Sequence, residues 1–329
     1  MTIGDTFLLG PKTVHRMGFG AMQLPGRGVF GPPRDRIEAL AVLRRAVELG
    51  VNHIDTAQFY GPGVANELIR EALHPYPAEL ALVSKVGARR DGSGQWLPAQ
   101  TPSELRAGVE DNLRSLAIDR VDVVNLRVHE ESHVALEDQL AAMVEMRIEG
   151  LIGGVGVSNV SAEQFAVARA ATDIVCVQNA FNIVDRSSQP VLDTCCEDGI
   201  AFVPYFPLGS AFGGDHNNVL EAPAVVAGAG RLGATVAQLA LAWLLDRSPN
   251  MLLIPGTASL AHLEQNLGAS QIELDDETRE VLEALEAREA LEAREDLGAD
   301  RPDGPALSQN GMFVTRSAAS PASAQSPPK

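Results

Sequence analysis

Seven short apolar segments of this chain each end in a polar or catalytic-type residue, and a stretch with helical periodicity follows each of them. A strand followed by a helix, repeated at short intervals, is typical of a parallel sheet with crossover helices. Chemistry at the carboxyl ends of many such strands favours an α/β fold of the (β/α)8 TIM barrel type, whose active site lies on that rim. The residues at the segment ends are, in chain order, Asp55, Lys85, Arg127, Ser158–Asn159, Gln178, Tyr205 and Gly256–Thr257.

The chain length of 329 residues suits one barrel followed by a tail. Alternating apolar and polar residues, with glycines at the turns, predict an N-terminal β-hairpin within residues 6–24 and a first barrel strand near Gly18–Leu24. We therefore predict a barrel domain over residues 1–296, which includes a C-terminal helix after Leu274.

The C-terminal region differs in composition from the barrel. The hexamer Glu-Ala-Leu-Glu-Ala-Arg occurs at 283–288 and again at 289–294. Six residues advance a helix by about 600°, so the repeat does not keep one apolar stripe, and the second copy is interpreted as a solvated extension. Residues 297–329 are rich in Ser, Ala, Pro and Gly, which predicts a loop followed by a disordered tail.

Charge and cysteine content limit the partners and the compartment. A formal net charge of −17 argues against nucleic acid and anionic membranes as partners. The N-terminus lacks the pattern of a signal peptide, and the apolar run Val236–Leu245 is too short to cross a bilayer. We therefore predict a cytoplasmic protein, most simply a monomer. Three cysteines without zinc or disulfide spacing agree with this prediction: Cys176, Cys195 and Cys196.

Asp55, Tyr60 and Lys85 are the residues most suggestive of chemistry. A phenol with a pKa near 10 is a poor acid at neutral pH, but an adjacent ammonium favours the phenolate and lowers the pKa. Lys85 can have this effect on Tyr60, and Asp55 can keep Lys85 charged and oriented, so that Tyr60 becomes a general acid. A buried Asp–Lys pair beside a tyrosine that fills a gap accounts for the same residues equally well.

Two segments carry a family resemblance: Asp55-Thr56-Ala57-Gln58-Phe59-Tyr60-Gly61, with Asn66-Glu67 after it, and Leu82-Val83-Ser84-Lys85-Val86-Gly87. Over about residues 7–285 the chain resembles the aldo-keto reductase superfamily. The stretch Phe59-Tyr60-Gly61-Pro62 and the long loop from Arg89 to Thr101 look closest to bacterial reductases, among them the pyridoxal reductases. The resemblance implies reduction of an aldehyde or ketone by a nicotinamide cofactor. It also implies that Tyr60 is the proton donor and that Lys85 and Asp55 adjust its pKa.

The resemblance also implies a cofactor site along the later strands. Ser158, Asn159 and Gln178 would grip the nicotinamide carboxamide, although a helix N-cap is an equally ordinary role for the first two. Tyr205 would stack on the nicotinamide ring. The residues near the pyrophosphate would be Leu208, Gly209 and Ser210, and those at the adenosine-phosphate end would be Gly256, Thr257, Ser259, His262, Gln265 and Asn266.

The chain departs from the family pattern on the fourth strand. The family pattern D-x-x-x-L-H aligns with Asp122-Val123-Val124-Asn125-Leu126-Arg127, so Arg127 stands where a histidine usually polarises the carbonyl. Arg127 is a permanent cation, which can stabilise an oxyanion but cannot serve as a titrating acid. His129 lies two residues on, on the same strand face, and is the alternative.

A second departure concerns the cofactor. Gly256 and His262 stand where members that use NADPH often carry Lys and Arg. Thr257, Ser259 and the N–H groups at a helix start can still hold a phosphate. NADPH is therefore the expected cofactor, and NADH is the alternative.

Three motif matches are interpreted as structural, and no metal site is predicted. His129–His133 fits H-E-x-x-H, but the first histidine ends a strand instead of lying in a helix. Gly228–Gly233 fits G-x-G-x-x-G, but an Ala-rich helix precedes it, which predicts an interhelical turn. Gly153–Val157 resembles a phosphate loop, but its glycines lie within a strand and predict close packing inside the barrel.

Aromatic side chains on the predicted rim loops are expected to shape an apolar substrate pocket, although packing explains them as well: Phe30, Trp96, Phe181 and Phe206. The sequence thus favours a carbonyl reductase that acts on a small molecule. A reductase specific for pyridoxal and a non-catalytic regulatory barrel that binds NADP(H) stay open as alternatives. A zinc hydrolase that uses His129 and His133 is a third hypothesis.

Overall fold

The computed structural model of the protein describes residues 4–129, 132–208 and 223–285. Strands and helices alternate along the chain. The strands are β1 (Thr6–Leu9), β2 (Lys12–His15), β3 (Phe19–Gly20), β4 (His53–Asp55), β5 (Ala81–Arg90), β6 (Trp96–Ala99), β7 (Val121–Arg127), β8 (Ile152–Ser158), β9 (Ile174–Gln178) and β10 (Ala201–Phe202). The helices are α1 (Arg36–Glu48), α2 (Val64–Leu73), α3 (Pro102–Leu116), α4 (Leu136–Ile148), α5 (Ala162–Ala171), α6 (Gln189–Asp198), α7 (Pro223–Arg231), α8 (Val236–Arg247) and α9 (Leu260–Gly268), and residues 276–285 are also helical.

Eight parallel segments close into a barrel. β3, β4, β5, β7, β8, β9 and β10 lie side by side in that order. Residues 251–253 complete the circle, because Met251 bridges Phe202 of β10 and Leu253 bridges Met17 just before β3. The amide of Gly18 donates to the Leu253 carbonyl at 2.7 Å across this closure. The predicted (β/α)8 barrel is therefore confirmed, and β1 and β2 form the predicted N-terminal hairpin.

The interior of the barrel is apolar at one end and polar at the other. Inward-facing Val83 and Val123 share a cluster with Leu9 and Val14 of the hairpin, which therefore covers the amino-terminal end of the strands. Lys85 lies two residues after Val83, on the same face of β5, because side chains of a strand alternate. The polar side chains at the strand ends consequently converge at the carboxyl rim.

The glycines of β8 allow close packing against side chains of the neighbouring strands, as predicted. A Cβ on Gly154 would come within 2.8 Å of Val175 Cγ2, and one on Gly156 would collide with Asn125 Oδ1. Side chains on these positions would displace their neighbours, because close-packed interiors have little spare volume. The Gly228–Gly233 motif is also structural, since it ends α7 and turns towards α8.

Two predicted elements differ in the structure. The first barrel strand near Gly18–Leu24 is wrong in extent, because β3 stops at Gly20 and a 3₁₀ turn follows over Ala21–Gln23. The predicted loop from Arg89 to Thr101 is largely a hairpin, in which β5 runs on to Arg90 and pairs antiparallel with β6. The alternation of apolar and polar residues did not predict this hairpin, because Pro98 and two glycines interrupt the pattern.

The C-terminal helical segment is tied to the barrel by Arg186. This side chain is 2% exposed and pairs with Glu283, whose Oε2 lies 2.7 Å from Nη1. The guanidinium also lies over the ring of Trp243, at 4.7 Å from its centroid. The first hexamer copy therefore begins at a residue that is ion-paired to the barrel domain. The second copy, the predicted boundary at 296 and the tail at 297–329 lie outside the described residues.

Within the ranges that the structure describes, no individual helix has the length and apolar composition needed to cross a bilayer. Taken together, α7 and α8 meet those criteria, but the chain bends by 82° at the break between them.

One buried histidine, His53, should contribute to a loss of stability in acid. His53 is 1% exposed, and neither ring nitrogen has a hydrogen-bond partner among the described residues. Burial and the nearby His15 lower the pKa of His53 from an ordinary 6.5 to about 4. As the pH falls, His53 therefore takes up its proton at a higher pH in the unfolded chain than in the folded protein. The contribution of neutral His53 to the free energy of unfolding, which is fully present above pH 6.5, is consequently lost as the pH falls towards 4. The loss amounts to about 3 kcal/mol at most.

Urea unfolding at several pH values checks this expectation. Wild type should lose stability between about pH 6.5 and 4 more steeply than His53→Gln, which cannot titrate there. His262→Gln, the same substitution at an exposed position, serves as the matched control. Equal slopes in wild type and His53→Gln would contradict the assignment.

Candidate active site

A buried ion pair lies at the carboxyl end of the barrel. Lys85 Nζ contacts Asp55 Oδ1, and the two side chains are 7% and 4% exposed. The second oxygen of Asp55 accepts a hydrogen bond from Gln178 Nε2 at 2.9 Å, and Lys85 also donates to the Thr56 carbonyl at 3.3 Å. Burial by itself lowers the pKa of Lys85, but the interactions with Asp55 and Tyr60 together outweigh this effect, so the pKa of Lys85 is raised and the amine stays charged.

Tyr60 lies against this pair, on the turn that follows β4. Lys85 Nζ is 5.2 Å from the centre of the Tyr60 ring, and the side chain of Tyr60 is 5% exposed. Asp55, Lys85 and Tyr60 are thus brought together as the sequence predicted.

The direction of the phenol's pKa differs from the sequence-based expectation. Burial raises the pKa of Tyr60, while the nearby cations of Lys85 and Arg127 counteract that rise only in part. The prediction that Lys85 lowers the pKa of Tyr60 below its ordinary value is therefore wrong. Burial disfavours the phenolate more strongly than the neighbouring positive charges favour it. At neutral pH the Tyr60 phenol is protonated.

Arg127 ends β7 and faces the same space. Its guanidinium carbon lies 5.7 Å from the centre of the Tyr205 ring, and its charge also acts on Tyr60. His129 is buried, and desolvation together with Arg127 lowers its pKa to about 4. At neutral pH the cation at this end of β7 is therefore Arg127, and His129 is an uncharged imidazole.

Ser158 and Gln178 form a polar pair on neighbouring strands. They are register partners between β8 and β9, and they are 0% and 1% exposed. Ser158 Oγ and Gln178 Oε1 have no hydrogen-bond partner in the part of the chain that the structure describes. Buried polar atoms are normally paired, because an unmade hydrogen bond costs about 1–3 kcal/mol. A hydroxyl beside an amide oxygen fits a ligand amide, such as the carboxamide of a nicotinamide.

Asn159 links this pair to Tyr205. Its side chain donates to the Val128 carbonyl at 3.0 Å and accepts from the Tyr205 hydroxyl at 3.1 Å. Asn159 has a φ of +61°, a left-handed conformation that asparagine tolerates better than most residues. The Tyr205 side chain is consequently held by Asn159 and lies beside Arg127.

The residues predicted for the adenosine-phosphate end lie just before α9 and within it. Ser259 occupies the N-cap position of α9 without making a side-chain cap, and its own amide donates to Thr257 Oγ1 at 3.1 Å. The backbone at Gly256 approaches Gly20, whose carbonyl oxygen would lie 2.5 Å from an added Cβ. His262 and Gln265 are exposed and Asn266 is buried. The arrangement suits an anion at the helix N-terminus.

Of the three residues expected near a pyrophosphate, Leu208 is partly buried against the core at the end of the described segment. Gly209 and Ser210 lie outside the described residues.

A buried polar network behind the ion pair was missed by the sequence reasoning. Asn112 of α3 is 0% exposed, and its oxygen accepts from Asn66 Nδ2 at 2.9 Å and from Ser84 Oγ at 2.6 Å. Asn66 in turn accepts from Thr56 Oγ1 at 2.8 Å. Because Thr56 follows Asp55 and Ser84 precedes Lys85, the network holds both strands that carry the ion pair. The sequence feature that could have revealed this network is Asn112, a polar residue at a core-facing position of α3.

The four predicted pocket residues do not share one environment. Trp96 packs edge-on against Phe59, with ring centres 5.6 Å apart, and Phe30 lies in the adjoining loop. Phe206 packs edge-on against Tyr205, with ring centres 5.1 Å apart. Phe181 differs, because it is 0% exposed and stacks on Trp243 in the core. Phe181 therefore belongs to the packing between barrel and helices and not to the rim.

The H-E-x-x-H match does not have the geometry of a metalloprotease. His129 and His133 lie in the connection between β7 and α4, outside any helix. Among the described residues, no group of three or more His, Cys, Asp or Glu side chains is placed to hold a metal ion.

Comparison with known proteins agrees with this architecture. A model of the aldo/keto reductase family matches residues 16–287. The chain is also 50% identical over 286 residues to pyridoxine 4-dehydrogenase of Escherichia coli, a match that covers 85% of this chain and 98% of that protein. The chain belongs to the aldo/keto reductase family.

Other known proteins share sequence or fold with this chain. An uncharacterized oxidoreductase of Schizosaccharomyces pombe is 39% identical over 272 residues, covering 83% of this chain and 87% of the relative. An aldo/keto reductase from Klebsiella pneumoniae, solved in complex with NADP and acetate, has a TM-score of 0.74 at 27% identity and covers 86% of this chain and 95% of its own. The protein is thus an oxidoreductase of a family that reduces carbonyl groups.

Proposed function

We propose that the protein reduces an aldehyde or ketone to an alcohol with NADPH, and that Tyr60 donates the proton. The observation that carries this proposal is the contact of Tyr60 with a buried Lys85 ammonium that Asp55 keeps charged. Such an arrangement stabilises the phenolate that remains after the proton has left. Because the pKa of Tyr60 is raised, the phenol already carries its proton at neutral pH when the substrate binds.

The cofactor, when bound, supplies the hydride. Ser158 and Gln178 would hold its carboxamide, and Tyr205 would support the nicotinamide ring. Thr257 and the amides at the start of α9 would hold its phosphate end. NADPH is proposed ahead of NADH because two solved relatives from Klebsiella pneumoniae, each 27% identical, contain NADP and NADPH respectively.

Arg127 would stabilise the negative charge that develops on the carbonyl oxygen. Its support is its position beside Tyr60 and Tyr205, with His129 uncharged at neutral pH. We expect kcat/KM to stay within about twofold from roughly pH 5.5 to 8, because a guanidinium does not titrate there and the raised pKa of Tyr60 lies above this window. A pH–rate profile checks this, and an inflection of kcat/KM within this window would contradict the assignment of the step to Arg127 and Tyr60.

The substrate class is tested by a carbonyl panel with NADPH and with NADH. Pyridoxal belongs in the panel because the chain is 50% identical to a protein named pyridoxine 4-dehydrogenase. Turnover of pyridoxal well above that of other aldehydes would identify a pyridoxal-specific reductase. Cofactor binding without turnover of any carbonyl would favour a regulatory barrel, an alternative supported by the arginine at position 127.

A cytoplasmic location, a monomeric state and a barrel domain that ends near residue 296 stay predictions.

A further inference from the structure

The loop of residues 28–31 is bonded to the residue that follows Tyr60. The amide of Gly61 donates to the Val29 carbonyl at 3.1 Å, and the amide of Gly31 donates to the Gly61 carbonyl at 3.1 Å. Phe30 and Gly61 thus form a short parallel bridge. The backbone at Tyr60 is therefore held on one side by this loop.

Val29 has an unusual conformation within that loop. Its φ is +59°, and it is 5% exposed. A β-branched residue in the left-handed region is a true outlier, with a cost of order 1–3 kcal/mol. Neighbouring contacts must fix the Val29 peptide for this conformation to persist.

Arg90 supplies such contacts from the end of β5, the strand that carries Lys85. Its Nη1 donates to the Val29 carbonyl at 3.2 Å and its Nη2 to the Gly28 carbonyl at 3.0 Å. Its Nε donates to the Gly94 carbonyl at 2.9 Å, within the β5–β6 hairpin. One guanidinium thus joins the 28–31 loop to the hairpin.

The same guanidinium is packed between two aromatic rings. Its central carbon lies 4.0 Å from the centre of the Trp96 ring and 5.4 Å from that of Phe30. Trp96 packs edge-on against Phe59, and Phe59 packs edge-on against Tyr60 with ring centres 5.3 Å apart. Arg90 therefore reaches Tyr60 by two routes, through the backbone of Val29 and Gly61 and through the rings of Trp96 and Phe59.

We propose that Arg90 is a positioning residue for Tyr60: it fixes the 28–31 loop and the Trp96 ring, so that the phenol stays aligned with Lys85 and with the substrate carbonyl. This inference rests on the proposed function of Tyr60. The role requires a planar guanidinium, which donates hydrogen bonds to three carbonyls and packs its flat face on an aromatic ring. The ammonium of lysine is not planar, so lysine cannot replace Arg90.

Kinetics of Arg90→Met and Arg90→Lys test the inference, with Arg89→Met as the matched control. Arg89 is the adjacent residue on β5 and is exposed. We expect both Arg90 variants to lower kcat for aldehyde reduction by about 10- to 100-fold, since a shift of about 1 Å at a reacting group can cost 100-fold. The dissociation constant of NADPH, followed by its fluorescence, should stay within twofold because the proposed cofactor contacts lie at or after the end of β8 and not on the β5–β6 hairpin. Arg89→Met should match wild type in both measurements.

The primary isotope effect with NADPH deuterated at the transferred position separates positioning from a general structural effect. It should rise in the Arg90 variants because the chemical step becomes slower relative to product release. A kcat of Arg90→Lys within twofold of wild type would overturn the inference, and this variant decides the matter if Arg90→Met does not fold. Wild-type protein that turns over no carbonyl would instead overturn the proposed function, and the role of Arg90 would fall with it.

Discussion

Tyr60→Phe should reduce carbonyl turnover by about 100- to 10,000-fold, the range that a positioned general acid contributes. The substitution removes one oxygen and keeps the ring, which packs edge-on against Phe59 at 5.3 Å between ring centres. The fold and the cofactor site should therefore be preserved. The loss should appear in kcat, because the proton is delivered only as the reaction proceeds.

Aldehyde-dependent oxidation of NADPH measures this effect, and Tyr76→Phe is the matched control. The Tyr76 hydroxyl donates to the Leu116 carbonyl at 2.8 Å, away from the site. Tyr76→Phe should cost stability of about 1 kcal/mol and leave turnover unchanged. Undiminished turnover of Tyr60→Phe, with NADPH binding intact, would remove Tyr60 from its proposed role.

The sequence was sufficient to place Asp55 and Lys85 together. Both end apolar segments that are consecutive in the chain, and consecutive strands of a parallel sheet are usually neighbours in space. The structure confirms this, because β4 and β5 pair in parallel. The bond from Gln178 to Asp55 crosses the barrel between strands that are not neighbours. Local sequence patterns carry no information on such a contact.

Burial was the property that sequence reasoning judged least well. Phe181 follows a strand end and looked like a rim residue, but it is fully buried and its ring stacks on Trp243, with centres 6.1 Å apart. The direction of the pKa of Tyr60 was missed for the same reason, because desolvation depends on everything packed around the phenol. Arg90 lay in a stretch interpreted as a loop, so its strand position and its three carbonyl partners were not visible.

Removal of the Lys85 ammonium alone should destabilise the protein and abolish most activity. Lys85→Met leaves the Asp55 carboxylate buried with Gln178 as its remaining side-chain donor. An uncompensated buried charge of this kind typically costs about 3–5 kcal/mol. Turnover should fall by about 100-fold or more, because the phenolate form of Tyr60 loses its nearest cation.

The Asp55→Asn/Lys85→Met double variant separates stability from catalysis. Removal of both charges should restore most of the unfolding free energy, since replacement of a whole buried pair by neutral groups is often close to neutral. Turnover should stay as low as in Lys85→Met, because no ammonium is left beside the phenol.

The matched control is a second Lys–Asp pair at the opposite end of the barrel. Lys12 Nζ lies 3.1 Å from Asp122 Oδ2, and the side chain of Lys12 is 26% exposed. Lys12→Met should therefore lose less stability than Lys85→Met and keep wild-type turnover. Urea unfolding and NADPH oxidation measure the two quantities on each variant. If the double variant recovered turnover together with stability, Lys85 would be a structural residue, and the role of its ammonium in the chemistry would have to be abandoned.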